Sequence, residues 1–287
     1  MPSLIDLRRR IRSVKSTQQV TKAMKMVSAA KLRRAQDRVI AARPYAAMFR
    51  QVLGDVAAAV AGDEVASAHP LLARREEKRV LLLLFTADRG LAGAFNTNLL
   101  KASHQFLAGR APGAVQLVLI GRKGRDYWRK RKADVLTERI GISQKPAFAD
   151  AAALAREAAG VYERGETDTV YVLYNEFKSI LSQKLTVARV LPVEVPAGAP
   201  CQDFIYEQPP AQLLGSLLPR YVEMAVYQAM LESAAAELAA RMTAMDAATE
   251  NAGEMIDKLT LHMNRVRQAS ITKELIEVVS GASAAQE

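Results

Sequence analysis

Cysteine is almost missing from these 287 residues: Cys201 stands alone. One cysteine excludes an internal disulfide framework and any four-cysteine metal site, and it points to a reducing compartment. Histidine is nearly as scarce. His69, His104 and His262 are far apart and form no H-E-x-x-H pair, so nothing sets up a zinc site. Aromatic content is only 6%, with a single tryptophan, which suits helix–helix seams better than a β-sandwich. No apolar run approaches the roughly 18–20 residues that a helix needs to cross a bilayer. No G-x-x-x-x-G-K-S/T loop cradles a phosphate, and no G-x-S-x-G elbow presents a serine. The expectation is a chain with no cofactor, no metal and no covalent chemistry of its own.

What is present is a repeat at both ends. Residues 4–60 carry an alternating three-and-four spacing of seam positions, among them Leu4, Leu7, Ile11, Val14, Leu32, Val39, Leu53, Val56 and Val60. Residues 214–270 do the same, through Leu214, Leu217, Tyr221, Met224, Leu231, Leu238, Met245, Ile256, Leu259, Met263 and Val266. A period of 3.5 held this long is the pattern of a left-handed coiled coil. The two terminal helices are therefore expected to pair antiparallel as a shaft. The first should bend near Pro44, and the second should run over 211–279 and stop at Ser280-Gly281. Ser3 followed by Asp6 has the form of a helix N-cap. Four successive seam positions, Gln18, Thr21, Lys25 and Ser28, are polar or small. Beside them Met24, Met26 and Val27 turn outward, which suggests a contact from outside; the alternative is register specification by buried polar groups, which usually takes one residue rather than four.

Between the helices the period changes. Short apolar runs at 79–85, 115–120 and 169–174 read as strands buried on both faces, and 185–191 as a hairpin partner of the last. Helical stretches at 92–108, 122–132 and 149–164 separate them, the alternation of a parallel, doubly covered, Rossmann-like open sheet. The division expected is a first shaft helix over 1–62, a linker over 63–77, an α/β domain over 78–195, a proline-rich linker over 196–210 and a second shaft helix over 211–287.

The net charge of +10 is unevenly spread: residues 1–50 hold thirteen Lys and Arg against Asp6 and Asp37. Such a block implies an anionic partner. An Arg-rich, acid-poor start also fits a mitochondrial presequence, but the heptads run through residue 60 without a processing break. A second cluster, residues 122–132 with Tyr127 and Trp128, is read as a solvated helix face with its aromatics packed inward rather than as a platform for single-stranded nucleic acid. At the other end, the second helix outruns the first beyond about Leu261. Its exposed Ile271, Leu275, Ile276, Val278 and Val279 call for an apolar socket in another protein.

Several motifs carry a resemblance. Met24-Lys25-Met26-Val27-Ser28-Ala29-Ala30-Lys31-Leu32 resembles the N-terminal helix of the gamma subunits of bacterial F-type ATP synthases, as do Asp88-Arg89-Gly90-Leu91 and Phe95-Asn96 after the first strand. The tail is more specific: Ala240-Arg241-Met242-Thr243-Ala244-Met245, Ala248-Thr249-Glu250-Asn251-Ala252, Asn264, and Arg267-Gln268-Ala269-Ser270-Ile271-Thr272.

The resemblance implies a non-catalytic rotor subunit that turns inside a ring of alpha and beta subunits. It would sit on the c ring against epsilon, peripheral to the cytoplasmic face of the inner membrane, and couple proton flow to ATP synthesis on beta. Residue by residue, it implies a tight ring contact at Met24, hydrogen bonds to alpha and beta loops from Arg241, Arg267 and Gln268, and a c-ring contact at Glu207. No cofactor and no nucleic acid enter. Ala92 and Ala94 stand where the family often has Cys and Gly, Pro219 is unexpected near the start of the long helix, and the chloroplast form's two-cysteine segment is absent. A nucleic-acid-binding coiled-coil scaffold is the alternative from another class, and an α/β enzyme with helical arms a third.

Overall fold

The computed structural model describes residues 3–60, 69–194 and 206–284. Most of the proline-rich linker, with Cys201, and residues 63–68 of the first linker lie outside the described residues. The first helix, α1, spans Leu4–Ala59. Its start is capped as expected: Ser3 Oγ accepts the Asp6 N–H at 3.1 Å, and Asp6 Oδ2 accepts Ser3 Oγ–H at 2.8 Å. Pro44 lies within α1 without ending it.

A five-stranded sheet follows, in the order β3-β2-β1-β4-β5. Its elements are β1 (Val80–Phe85), α2 (Phe95–Ala108), β2 (Val115–Ile120), α3 (Arg122–Arg129), β3 (Val135–Arg139), α4 (Phe148–Glu163), β4 (Thr169–Phe177) and β5 (Gln183–Leu191). The first four strands are parallel and β5 closes an antiparallel hairpin on β4. All six residues of β1 are buried, as a strand covered on both faces requires. Strand β3 is absent from the sequence reading. It is an edge strand, half-buried over its first four residues and exposed at Arg139, and its Val-Leu-Thr-Glu-Arg has too few apolar residues to stand out.

The last helix, α5, spans Pro210–Ala284. It takes in Pro219 and continues beyond the stop expected at Ser280-Gly281. A glycine ends a helix only when its backbone turns left-handed; otherwise it is a weak but permitted helical residue, here followed by good helix formers.

The chain forms two compact units, Met1–Val27 with Met242–Glu287, and Ser28–Arg241. In the first unit the two helix segments pair antiparallel. Thr21 Oγ1 meets Thr249 Oγ1 at 2.8 Å, Lys25 pairs with Asp246, and Gln18 Nε2 donates to the Thr249 carbonyl at 3.4 Å. Every predicted seam position here, from Leu4 to Lys25 and from Met242 to Ser270, is buried or half-buried. The four polar seam residues are therefore accounted for: three reach across to α5, and Ser28 is buried in the second unit. Gly253 belongs to the same arrangement. A Cβ there would stand 3.2 Å from Gln18 Nε2, so the glycine makes room for that side chain.

In the second unit the two-helix seam is too simple a description. Residues 229–237 of α5 are buried on every face. Leu214, Leu218, Val222, Val226, Ala229 and Met230 share one core with Leu53, Val56 and Val60 of α1. Leu81, Leu83 and Phe85 of β1 and Leu154, Ala158 and Tyr162 of α4 complete it. A helix covered from three sides shows no single stripe.

Candidate coupling site

The turn after β1 gathers several side chains that fasten the C-terminal edge of the sheet. Asp88, buried at its end, accepts the Arg122 N–H at 3.0 Å, the Gly141 N–H at 3.1 Å and the Ser143 hydroxyl at 2.7 Å. Asn96 Oδ1 accepts the Ala87 N–H at 3.0 Å. The positive φ angles of this turn fall on Leu91 (62°) and Gly93 (55°). Ala94 has φ −82° and Ala92 is not among the positive-φ residues, so neither departure from the family motif falls on a backbone that requires glycine.

The start of α3 is where an α/β sheet would hold a phosphate. Its first four N–H groups are already bonded. Arg122 donates to Asp88, Lys123 to the Ala87 carbonyl at 3.1 Å, Gly124 to Thr86 Oγ1 at 2.9 Å and Arg125 to the Gly121 carbonyl at 3.3 Å. Gly121 is held at φ +92°, and a Cβ on it would lie 2.1 Å from the Thr86 carbonyl oxygen. The helix end is thus packed onto β1, with these donors spent on the protein. In the basic cluster Trp128 is buried and donates to Ser103 Oγ at 3.2 Å, while Arg131 stacks 3.6 Å from the Tyr127 ring. Trp128 packs inward as expected, whereas Tyr127 stays half-buried beneath Arg131.

Three acids of α5, Glu223, Glu232 and Glu237, are buried, which the sequence reading missed; the last two bear most on the turn and the sheet. Glu237 accepts Arg241 Nη2 at 2.6 Å, and the same nitrogen donates to the Gly90 carbonyl at 3.4 Å, tying α5 to the β1–α2 turn. Burial pushes the Glu237 carboxyl up, against the opposing pull of Arg241. Glu232 accepts bonds from Arg43 and from the Phe177 N–H. Nearby, burial and the Glu176 and Glu232 carboxylates push the Tyr174 phenol up to about 12. Both acids stand in the alanine-rich run 229–240. An acid in such a run is noticeable by composition, but nothing in the run says whether it is buried.

The residues expected to make subunit contacts are not gathered into one site. Met24 is exposed on α1, with Val20, Met26 and Val27 exposed around it. Arg267 and Gln268 are exposed on α5, roughly 30 Å along that helix from Asp246 at 1.5 Å per residue, so they form a surface distinct from Met24. Arg241 keeps only 15% of its side chain exposed and is committed to Glu237. Glu207 is exposed just before α5, next to Tyr206, which packs against the core. Residues 271–280 are exposed throughout, including Ile271, Leu275, Ile276, Val278 and Val279. Half-burial persists to Met263, Val266 and Ser270, so the lone segment starts later than Leu261.

A family model described as ATP synthase matches residues 3–285. The ATP synthase gamma chain of Solibacter usitatus is 66% identical over 286 residues, covering 100% of both chains. That of Anaeromyxobacter sp. (strain Fw109-5) is 53% identical, covering 99% of each. Among solved structures, a chain from the central stalk and c-ring of the Tetrahymena thermophila mitochondrial ATP synthase is similar at TM-score 0.63 and 26% identity. It covers 80% of this chain and 99% of its own. A chain of the Euglena gracilis mitochondrial ATP synthase, 21% identical, shares the fold at TM-score 0.69, over 98% of this chain and 94% of its own. Matched from end to end by relatives of one kind, the chain belongs to the gamma chain family of F-type ATP synthases, non-catalytic subunits of the rotor.

Proposed function

We propose that the chain transmits rotation of a membrane c ring to catalytic beta subunits, coupling proton flow to ATP synthesis. The observation that carries this reading is the end of α5. Ten successive exposed residues, half of them large aliphatics, are stable in water only when seated in an apolar socket. A ring of alpha and beta subunits supplies such a bearing.

Of the thirteen cations of residues 1–50, Lys25 and Arg43 are paired with Asp246 and Glu232 within the chain, and the others would face acidic segments of beta. Met24, Arg267 and Gln268 are the proposed ring contacts, and Arg241 joins them through what its bond to Glu237 leaves free. Glu207 is the proposed contact with the c ring, and epsilon would bind the α/β domain. The proposed parts are a shaft helix over 1–62, a linker over 63–77, the α/β domain over 78–195, a linker over 196–210 and a shaft helix over 211–287. No described helix is long and apolar enough to cross a membrane. The chain would be peripheral, held at the cytoplasmic face of the bacterial plasma membrane through the c ring.

Purification from membranes washed at low salt tests the reading. The chain should arrive with alpha, beta, epsilon and c subunits. Recovery free of them, or with tight DNA binding that falls steeply with salt, would overturn it in favour of a nucleic-acid scaffold.

A further inference from the structure

Glu232 interrupts an apolar stretch of α5, and only 2% of its side chain is exposed. A carboxylate removed from water is costly unless its lone pairs are met. Here they are met from two other elements. Phe177, the last residue of β4, donates its N–H to Oε2 at 2.9 Å. Arg43 of α1 donates from Nε to Oε1 at 3.1 Å and from Nη2 to Oε2 at 3.2 Å. The same Nη2 donates to the Phe177 carbonyl at 2.8 Å. One carboxylate and one guanidinium thus close a ring through both backbone polar groups of Phe177, at the mouth of the β4–β5 hairpin where Phe177 pairs with Gln183.

The surroundings give this ring a particular mechanical place. Next to Glu232 on α5 lie Ala229, Ala234, Ala235 and Ala236, all buried. Alanines present few knobs, and apolar burial is non-directional, so such a surface resists separation better than it resists sliding or turning. A forked guanidinium–carboxylate pair has fixed geometry and resists both. The other buried carboxylates of α5 tie it to one element each: Glu223 to α4 through Arg156, and Glu237 to the β1–α2 turn through Arg241. The Arg43–Glu232 pair reaches α1, α5 and the sheet together.

We infer that the Arg43–Glu232–Phe177 node is the tie through which torque passes from the sheet of the α/β domain into both long helices at once. The inference rests on the rotor reading above. Arg43 and Glu232 are positioning residues that act by holding three elements in register under load.

The test uses the assembled membrane complex carrying Arg43→Gln, Glu232→Gln, the double variant R43Q/E232Q, or Arg43→Lys. It reads ATP-driven proton pumping per ATP hydrolysed, together with the thermal midpoint of the complete isolated chain. Each single glutamine variant leaves a charge without its partner and should lower both. The double variant leaves no unpaired charge, so its midpoint should recover toward the parent. Its pumping ratio should stay about two- to thirtyfold below the parent, the span expected for substitutions in a coupling network. Arg43 is 42% exposed, so Arg43→Lys should fold normally; losing the fork, it should lower the ratio at an unchanged midpoint. A double variant whose ratio recovers with its midpoint, or a lysine variant that pumps like the parent, would show a structural salt bridge only and overturn the inference. A parent complex that hydrolyses ATP without pumping would instead sink the rotor reading on which it stands.

Discussion

Replacing Asp88 by alanine removes one side chain from three partners at once. The Arg122 N–H at the start of α3, the Gly141 N–H after β3 and the Ser143 hydroxyl all lose a charged acceptor. Hydrogen bonds to charged groups are worth about 1.5–3 kcal/mol each, and an unsatisfied buried donor costs about 1–3 kcal/mol. Arg122 and Gly141 are exposed residues, so water can replace part of what their N–H groups lose. Ser143 is buried, but its hydroxyl can rotate toward another acceptor. We therefore expect a loss of about 3 kcal/mol, which at a urea m-value near 2 kcal/mol/M shifts the midpoint down by roughly 1.5 M.

The molecule carries its own reporter for that measurement. Trp128 is the one tryptophan of the chain, and it lies buried on α3, the helix whose start Asp88 secures. Its fluorescence follows the α/β domain, whereas far-UV circular dichroism is dominated by α1 and α5. Asp88→Asn retains an oxygen for the Arg122 N–H but turns an amide toward Gly141 and Ser143, so about half the loss should remain. A midpoint for Asp88→Ala within about 0.3 M of the parent would refute the reasoning. So would an asparagine variant as weak as the alanine one.

The remaining predictions concern pH, the ring and the tip. Burial alone would raise the Asp168 carboxyl, but bonds from the Arg79 N–H, the Arg79 guanidinium and the Lys78 N–H hold it below the ordinary aspartate value. A folded-state pKa below the unfolded one contributes stability above about pH 4 that is lost as pH falls through the folded value. Parent stability, read by Trp128 in urea, should thus fall more steeply below about pH 4 than that of Asp168→Asn; parallel slopes would disprove it. Met24→Lys should leave the isolated chain within about 0.5 kcal/mol of the parent, since the residue is 38% exposed, yet weaken pumping in the assembled complex. Unchanged pumping would remove Met24 from the proposed ring contact. Truncation after Met263 should leave the Trp128 unfolding transition where it is and impair coupling in the complex. A truncated chain that cannot fold would contradict the socketed-tip reading.

Legibility in the sequence followed how locally each feature is encoded. The seam was readable position by position, because a heptad repeat is written along one helix and needs no knowledge of its partner. Strands β1, β2 and β4 were readable because burial on both faces leaves runs such as Val-Leu-Leu-Leu-Leu-Phe. Strand β3 was not, because an edge strand has one neighbour and can be half polar. The polar seam residues were legible as an anomaly, but Thr249 and Asp246, which answer them, come from more than 200 residues away.

Period, charge imbalance and motif, all properties of neighbouring residues, were enough to establish two long pairing helices, an α/β domain between them and membership of a rotor family. The structure alone decided which acids are buried. Glu232 and Glu237 look like ordinary surface acids on a helix until the sheet and α1 close over them. Arg43 lies 189 residues from Glu232, and only folding makes them partners. Burial of a charge depends on everything that surrounds it in space, and no stretch of chain carries that information within itself.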